Sequence, residues 1–190
     1  VSKASAPTGP PPPAVTQASD DILGKPLALV VALALVSLLP FALMTTTSFV
    51  KIATTLQIVK SAIGAQGVPS NTVVLALAAS LSLLAMAPLA DTIGQRLGPV
   101  MEGGTKETSV LVMSVVDAVR DPLRGFLDAN TSPTEKGRFL AVARSARPAA
   151  DRDKVTAKDF SVLVPAFMTT ELNEAFLLGF AVYLPFLVID

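Results

Sequence analysis

FSVLVPAFMTTELNEAFLLGFAVYLPFLVID, residues 160–190, decides how the rest of the chain is read. It is apolar almost throughout, yet Glu171 and Glu174 stand inside it, three residues apart and so on one face of a helix. A carboxylate at membrane depth costs at least about 2.5–3.5 kcal/mol even on lenient insertion scales. A chain keeps such groups only where they face protein, water or a positive partner. The other reading of the same stretch starts a helix near Thr169, after Pro165, with both carboxylates in its first turns and stabilised by the helix dipole.

Composition agrees with a helical membrane-type chain. Of 190 residues, 51% are hydrophobic and only 16% charged, against roughly 25% charged in an ordinary soluble domain. Aromatics make up 5%, so the apolar content is mainly Leu, Val and Ala, as in packed or lipid-facing helices. Fifteen basic and fifteen acidic residues cancel without forming a basic patch, which argues against a nucleic-acid partner. The chain has no Cys and no His, removing disulfides, thiol catalysis, Cys/His metal sites and histidine acid–base chemistry. No G-x-S-x-G, Walker A or G-x-G-x-x-G motif occurs, and Gly64, Gly67, Gly103 and Gly104 read as turn glycines. No catalytic, cofactor or metal residue is therefore assigned, and the chain is not read as an enzyme.

Outward from the decisive stretch, the chain divides into four regions. Residues 1–24 are a Pro/Ala/Ser/Thr tail with Pro10–Pro13 consecutive, expected to be disordered or polyproline II. Val1 in place of Met, and an apolar run that stops at Asp190, read as a processed or truncated chain. Residues 25–90 form a first apolar helical region. Within it, Leu27–Met44 is uncharged and long enough to span a bilayer. Thr45–Ile63 follows without a real break as an amphipathic helix, its stripe running through Phe49, Ile52, Ala53, Leu56, Val59 and Ile63. Lys51 on that helix reads as snorkelling rather than paired. After the turn Gly64–Asn71, the uncharged run Val73–Leu89 ends near Pro88.

Residues 91–159 carry eleven Lys/Arg against ten Asp/Glu and read as a soluble helical insertion. Val110–Val119 is expected to be a short helix ended by Arg120-Asp121-Pro122. Ser132-Pro133-Thr134-Glu135 is a helix start, with Ser as N-cap, Pro in the first turn and Glu reaching back. Thr156-Ala157-Lys158-Asp159 is a second capping pattern, launching residues 160–190, the second apolar helical region. Prolines 40, 88, 165 and 185 predict kinked or broken helices, tolerated at membrane depth where protein or water replaces lipid. The two lysines of the Thr45–Thr72 link place it in the cytoplasm, which puts the tail and the insertion on the opposite side.

Two long segments share one likeness. VSLLPFALMTTTSFVKIATTLQIVKSAIGAQGVPSN (Val36–Asn71) resembles the amino-terminal signature of the FliP/SctR family, the export-gate proteins of type III secretion systems. LVPAFMTTELNEAFLLGFAVYLPFLVID (Leu163–Asp190) resembles that family's second signature, in the expected order and after a variable polar insertion. Leu39-Pro40-Phe41, Lys51, Leu172–Phe176 and Tyr183–Phe186 look closer to the injectisome branch than to the flagellar one.

The resemblance implies a non-enzymatic, all-α subunit of the bacterial inner membrane. It would assemble with itself in a ring of about five copies and with SctS/FliQ-type and SctT/FliR-type gate subunits. SctU/FlhB-type and SctV/FlhA-type export proteins would dock nearby, and unfolded protein substrates would pass through. It also implies a finished gate lifted largely out of the bilayer, with the insertion periplasmic. By position in the two signatures, Phe49, Lys51, Glu171, Glu174, Phe176, Gly179 and Pro185 become candidate assembly or conduit residues. Glu171 would pair with a lysine of a following hydrophobic segment, and the family's methionine-rich constriction would lie past Asp190; Met44, Met86, Met101, Met113 and Met168 form no such cluster. Two rival readings remain at this level: a secondary transporter or ion channel using the carboxylates, or a membrane-anchored scaffold working through residues 91–159.

Overall fold

The computed structural model describes residues 16–64, 67–103 and 108–189. Among them the fold is all-α, as the composition predicts. Six helices follow one another: α1 (Thr16–Thr46), α2 (Phe49–Ala62), α3 (Asn71–Glu102), α4 (Thr108–Ala129), α5 (Pro133–Ser145) and α6 (Phe160–Ile189), with a 3-10 helix at Ala149–Lys154. The chain falls into two compact units, Val1–Pro40 and Phe41–Asp190.

The first unit is the larger part of α1. That helix begins at Thr16, inside the segment expected to be a disordered tail; the rest of that expectation, residues 1–15, lies outside the described residues. Within the unit, Leu29, Val30, Val31, Leu33, Val36, Leu38 and Leu39 are all exposed.

The second unit holds the core. A short break at Thr47–Ser48 separates α1 from α2, where the sequence suggests continuity. Phe49 N–H donates to Thr47 Oγ1 at 3.4 Å across it, and the Thr47 hydroxyl also accepts from Ser82 of α3 at 3.4 Å. The turn after α2 needs left-handed backbone at Gly64 (φ 68°) and Gly67 (φ 89°), conformations that only glycine adopts without strain. Ser70 then caps α3, accepting from Val73 N–H at 3.4 Å.

The helix ends expected at Pro122 and Pro165 are corrected. Helix α3 runs through Pro88 and Pro99, α4 through Pro122 and α6 through Pro165 and Pro185. A proline inside a helix removes one hydrogen bond and crowds the preceding turn, at about 3 kcal/mol, yet tertiary packing outweighs it here. Pro122 is buried, and Pro165 is half-buried and followed directly by the buried Ala166 and Phe167. The residue 90/91 border between the apolar region and the insertion falls inside α3.

The insertion is not a separate body. Leu127 of α4 packs with Leu163 and Phe167 of α6, surrounded by Leu123, Phe126, Phe160 and Val164. Phe126 and Phe167 meet edge-to-face at 5.7 Å, and the Arg124 guanidinium lies over the Phe160 ring at 5.3 Å. Each such large side chain contributes about 1.5–3 kcal/mol by leaving water. Ser132 stands at the N-cap of α5 and Pro133 at its first position, but the expected capping box is absent: Ser132 makes no side-chain cap bond and Glu135 pairs with Arg138 instead. The Ser132 N–H donates to Thr170 Oγ1 of α6 at 3.1 Å, so the start of α5 is anchored across the interface. Just before α6, Asp159 accepts from the Thr156 N–H at 3.1 Å and from its hydroxyl at 2.9 Å; only this reach-back half of the expected pattern forms, and the helix starts at Phe160 rather than after Thr156.

Candidate functional site

Helices α2 and α6 share the most extensive pairing among the described helices, and Gly179 allows a close approach. A Cβ at that position would lie 2.5 Å from Cδ1 of Ile58, closer than real side chains approach. With Ile58 level with Gly179 and Lys51 level with Glu171 and Glu174, the two helices run in the same direction. Lys51 is in the first turn of α2, and its ammonium bridges both carboxylates: it donates to Glu174 and stands 3.6 Å from Glu171 Oε1. The lysine is paired rather than snorkelling, and α2 brings a cation to Glu171.

The two carboxylates are not equivalent. The Glu171 side chain is 5% exposed and that of Glu174 47%. Glu171 Oε2 is buried without a hydrogen-bond partner among the described residues. Both sit in the middle of α6, which excludes the helix start near Thr169. Asn130–Pro133, the α4–α5 turn, closes over them, forming with Lys51 a polar recess of about 330 Å³. The costly glutamates thus face a cation and a polar turn, as their presence in an apolar stretch requires.

Two carboxylates outside the apolar helices have shifted titration. Lys136 donates to Asp128 Oδ1 at 2.8 Å, holding that carboxyl below its ordinary range. The backbone N–H of Thr156 and then its hydroxyl do the same for Asp159.

Alongside the Ile58–Gly179 contact lies an apolar groove of about 1000 Å³, walled by Ile58, Phe176, Leu177, Phe180 and Tyr183. Of the seven candidate residues, Lys51, Glu171 and Glu174 converge on the recess, Gly179 makes the helix contact and Phe176 lines the groove. Phe49 opens α2, and Pro185 lies exposed near the end of α6; neither lines the recess or the groove. Sequence reading missed Gln57, Ile58 and Asn173 as groove residues, although the three- and four-residue spacing of Asn173, Phe176, Phe180 and Tyr183 was there to be read.

Three helical segments, Leu29–Thr46, Asn71–Glu102 and Phe160–Val188, are long and apolar enough to cross a membrane. With the ion-paired α2–α6 contact, this defines the class: a helical membrane-type protein in which the charges of Lys51, Glu171 and Glu174 are paired with one another. Residues 32–190 match the FliP family, and the chain belongs to it. It is 41% identical over 165 residues to the hypersensitivity response secretion protein HrcR of Ralstonia nicotianae, covering 86% of this chain and 75% of that one. It is 34% identical over 170 residues to the virulence protein YscR of Salmonella typhimurium, covering 87% and 76%. Identity to the flagellar biosynthetic protein FliP of Agrobacterium fabrum is 32% over 159 residues, covering 83% and 62%.

Proposed function

We propose that this chain is a structural subunit of a type III protein secretion apparatus. It builds part of the inner-membrane conduit for unfolded secreted proteins and does no bond chemistry. The family membership and the secretion and translocation names of its relatives support the apparatus, and the higher identity to secretion relatives favours the injectisome branch. The observation that carries the reading is that Lys51 of the first family signature meets Glu171 and Glu174 of the second, more than a hundred residues further along the chain.

Burial along α6 is uneven, and its amino-terminal half supports a helix that packs on protein. Its first half is buried by α2, α4 and α5, which bring Arg124, Asp128 and Lys136 alongside. Phe176–Val188, the exposed remainder, runs only about 20 Å at 1.5 Å per residue, short of the roughly 30 Å hydrocarbon core. Copies of this chain, joined by small hydrophobic gate subunits and larger export proteins, would cover that remainder, with residues 91–159 and α2, which line one recess, together on the periplasmic side rather than on opposite sides as the lysine count predicts. Native mass spectrometry of the chain co-expressed with neighbouring membrane genes tests this. A multi-copy complex containing small hydrophobic partners is expected; a monomer in the presence of all of them would end the proposal. Charge reversal at Glu171 or Glu174 should impair both assembly and secretion, and normal behaviour of both variants would remove these residues from the mechanism.

A further inference from the structure

The recess under the α4–α5 turn gathers acceptors that the chain's own donors do not meet. Lys51 gives its hydrogen bond to Glu174, the half-exposed carboxylate. Glu171 is nearly buried, and its Oε1 keeps only a 3.6 Å contact with the ammonium, beyond hydrogen-bond distance. Its Oε2 has no partner at all among the described residues. The turn adds a second acceptor. Ala129, the last residue of α4, borders the recess. A carbonyl at a helix end accepts from an N–H three or four residues on, but the Ser132 N–H donates to Thr170 and Pro133 has none. The Ser132 hydroxyl makes no capping bond, and Asn130 donates its amide to Phe126 O, which leaves the amide oxygen as a further acceptor.

Charge points the same way. One ammonium against two carboxylates leaves the recess with an excess of a single negative charge, and the carboxyl end of α4 adds the negative pole of its dipole. Asp128, at the same end of α4, is matched by Lys136 at 2.8 Å and Lys158 at 3.9 Å, none of which lines the recess. A water molecule would donate to two of the acceptors and leave the excess charge uncompensated. A divalent ion would reverse the excess beside Lys51, and no group of three or more acidic side chains stands among the described residues to hold one. A monovalent ion that takes only oxygen ligands meets both requirements.

We infer that the recess binds one alkali cation, sodium or potassium, at Glu171 Oε2, with oxygens of Ala129, Asn130 and Ser132 in its shell. The ion ties the α4–α5 turn to α6 and shares with Lys51 the neutralisation of Glu171. The site is independent of the secretion reading: a chain that binds no ion could still build a conduit, and one that binds an ion could build none.

Equilibrium dialysis of the full chain in dodecyl maltoside tests this, against radiolabelled sodium and, in place of potassium, rubidium, with choline chloride holding ionic strength constant. At least one of the two ions should bind saturably, one per chain. Glu171→Gln, with helicity by circular dichroism matching the parent, should abolish that binding, and Glu102→Gln at the exposed end of α3 should leave it intact. Glu174→Gln keeps the decision open should the buried variant misfold, because that side chain is half exposed. It should weaken binding at least about fivefold, the scale of one unit charge a few ångströms away in water. No saturable binding of either ion overturns the inference, and that is the result if water or a basic side chain from elsewhere fills the recess. Binding unchanged in Glu171→Gln or in Glu174→Gln overturns it as well, and displacement by equimolar calcium overturns the monovalent assignment.

Discussion

Gly179 and Lys51 are the two residues on which the α2–α6 pairing turns. Gly179→Leu would drive its side chain into Ile58, a strain of about 1–3 kcal/mol. Chemical denaturation should show that loss, and Ile58→Ala in the same chain should recover part of it. If the single variant unfolds at the parent's midpoint, the helices are not held at the described distance. Lys51→Met removes the cation between two carboxylates and leaves Glu171 buried with no partner, at about 3–5 kcal/mol. Adding Glu171→Gln should restore most of that, and a double variant no more stable than Lys51→Met would show that the bridge contributes little. The pair was half legible beforehand. Two glutamates in an apolar stretch announce that a partner exists, but nothing local says whether it comes from the same helix, from α2 or from another chain.

Among the elements, α6 and the α4–α5 turn define each other. Phe167 is 1% exposed at the centre of the α4–α6 core, and Phe167→Ala should cost about 3–5 kcal/mol in thermal or denaturant unfolding. Acid should act at the same interface. Lys136 keeps the Asp128 carboxyl below its unfolded value of about 3.9, so its contribution is complete above pH 4–5 and fades as pH falls through the lower folded value. Stability measured from pH 6 to 2.5 should fall less steeply in Asp128→Asn; an unchanged slope would remove the pair from the acid response. Helix identity, the turn at Gly64–Asn71 and the Thr156–Asp159 hydrogen bonding were readable because they depend on local backbone chemistry. Helix ends near prolines were not. The penalty at Pro88, Pro122 and Pro165 is local, whereas the packing that outweighs it joins residues far apart in the chain.

At the scale of the whole molecule, residues 91–159 cease to be a removable insertion. They supply Leu123, Phe126 and Leu127 to the core, Ser132 to the hydrogen bond with Thr170, and the turn that closes the recess. Excising them should abolish the folded second unit rather than spare an oligomeric remainder. Limited proteolysis of the deleted chain should show no protected fragment spanning α2 and α6, and a protected fragment would restore the insertion as a separable body. Composition alone reported the charge of this region correctly; it could not report that its apolar stripe is spent on α6.

The common direction of α2 and α6 has one more effect. Each peptide dipole adds to the next, so an α-helix carries a partial positive charge at its amino end, where a lysine is ordinarily repelled. Lys51 sits there, in the opening turn of α2. The two acidic groups of α6 therefore compensate the ammonium and the end of the α2 dipole together. If they were neutralised, that opening turn would be the first to fray, loosening the junction with α1 at Thr47–Ser48 before any other part of the bundle came apart.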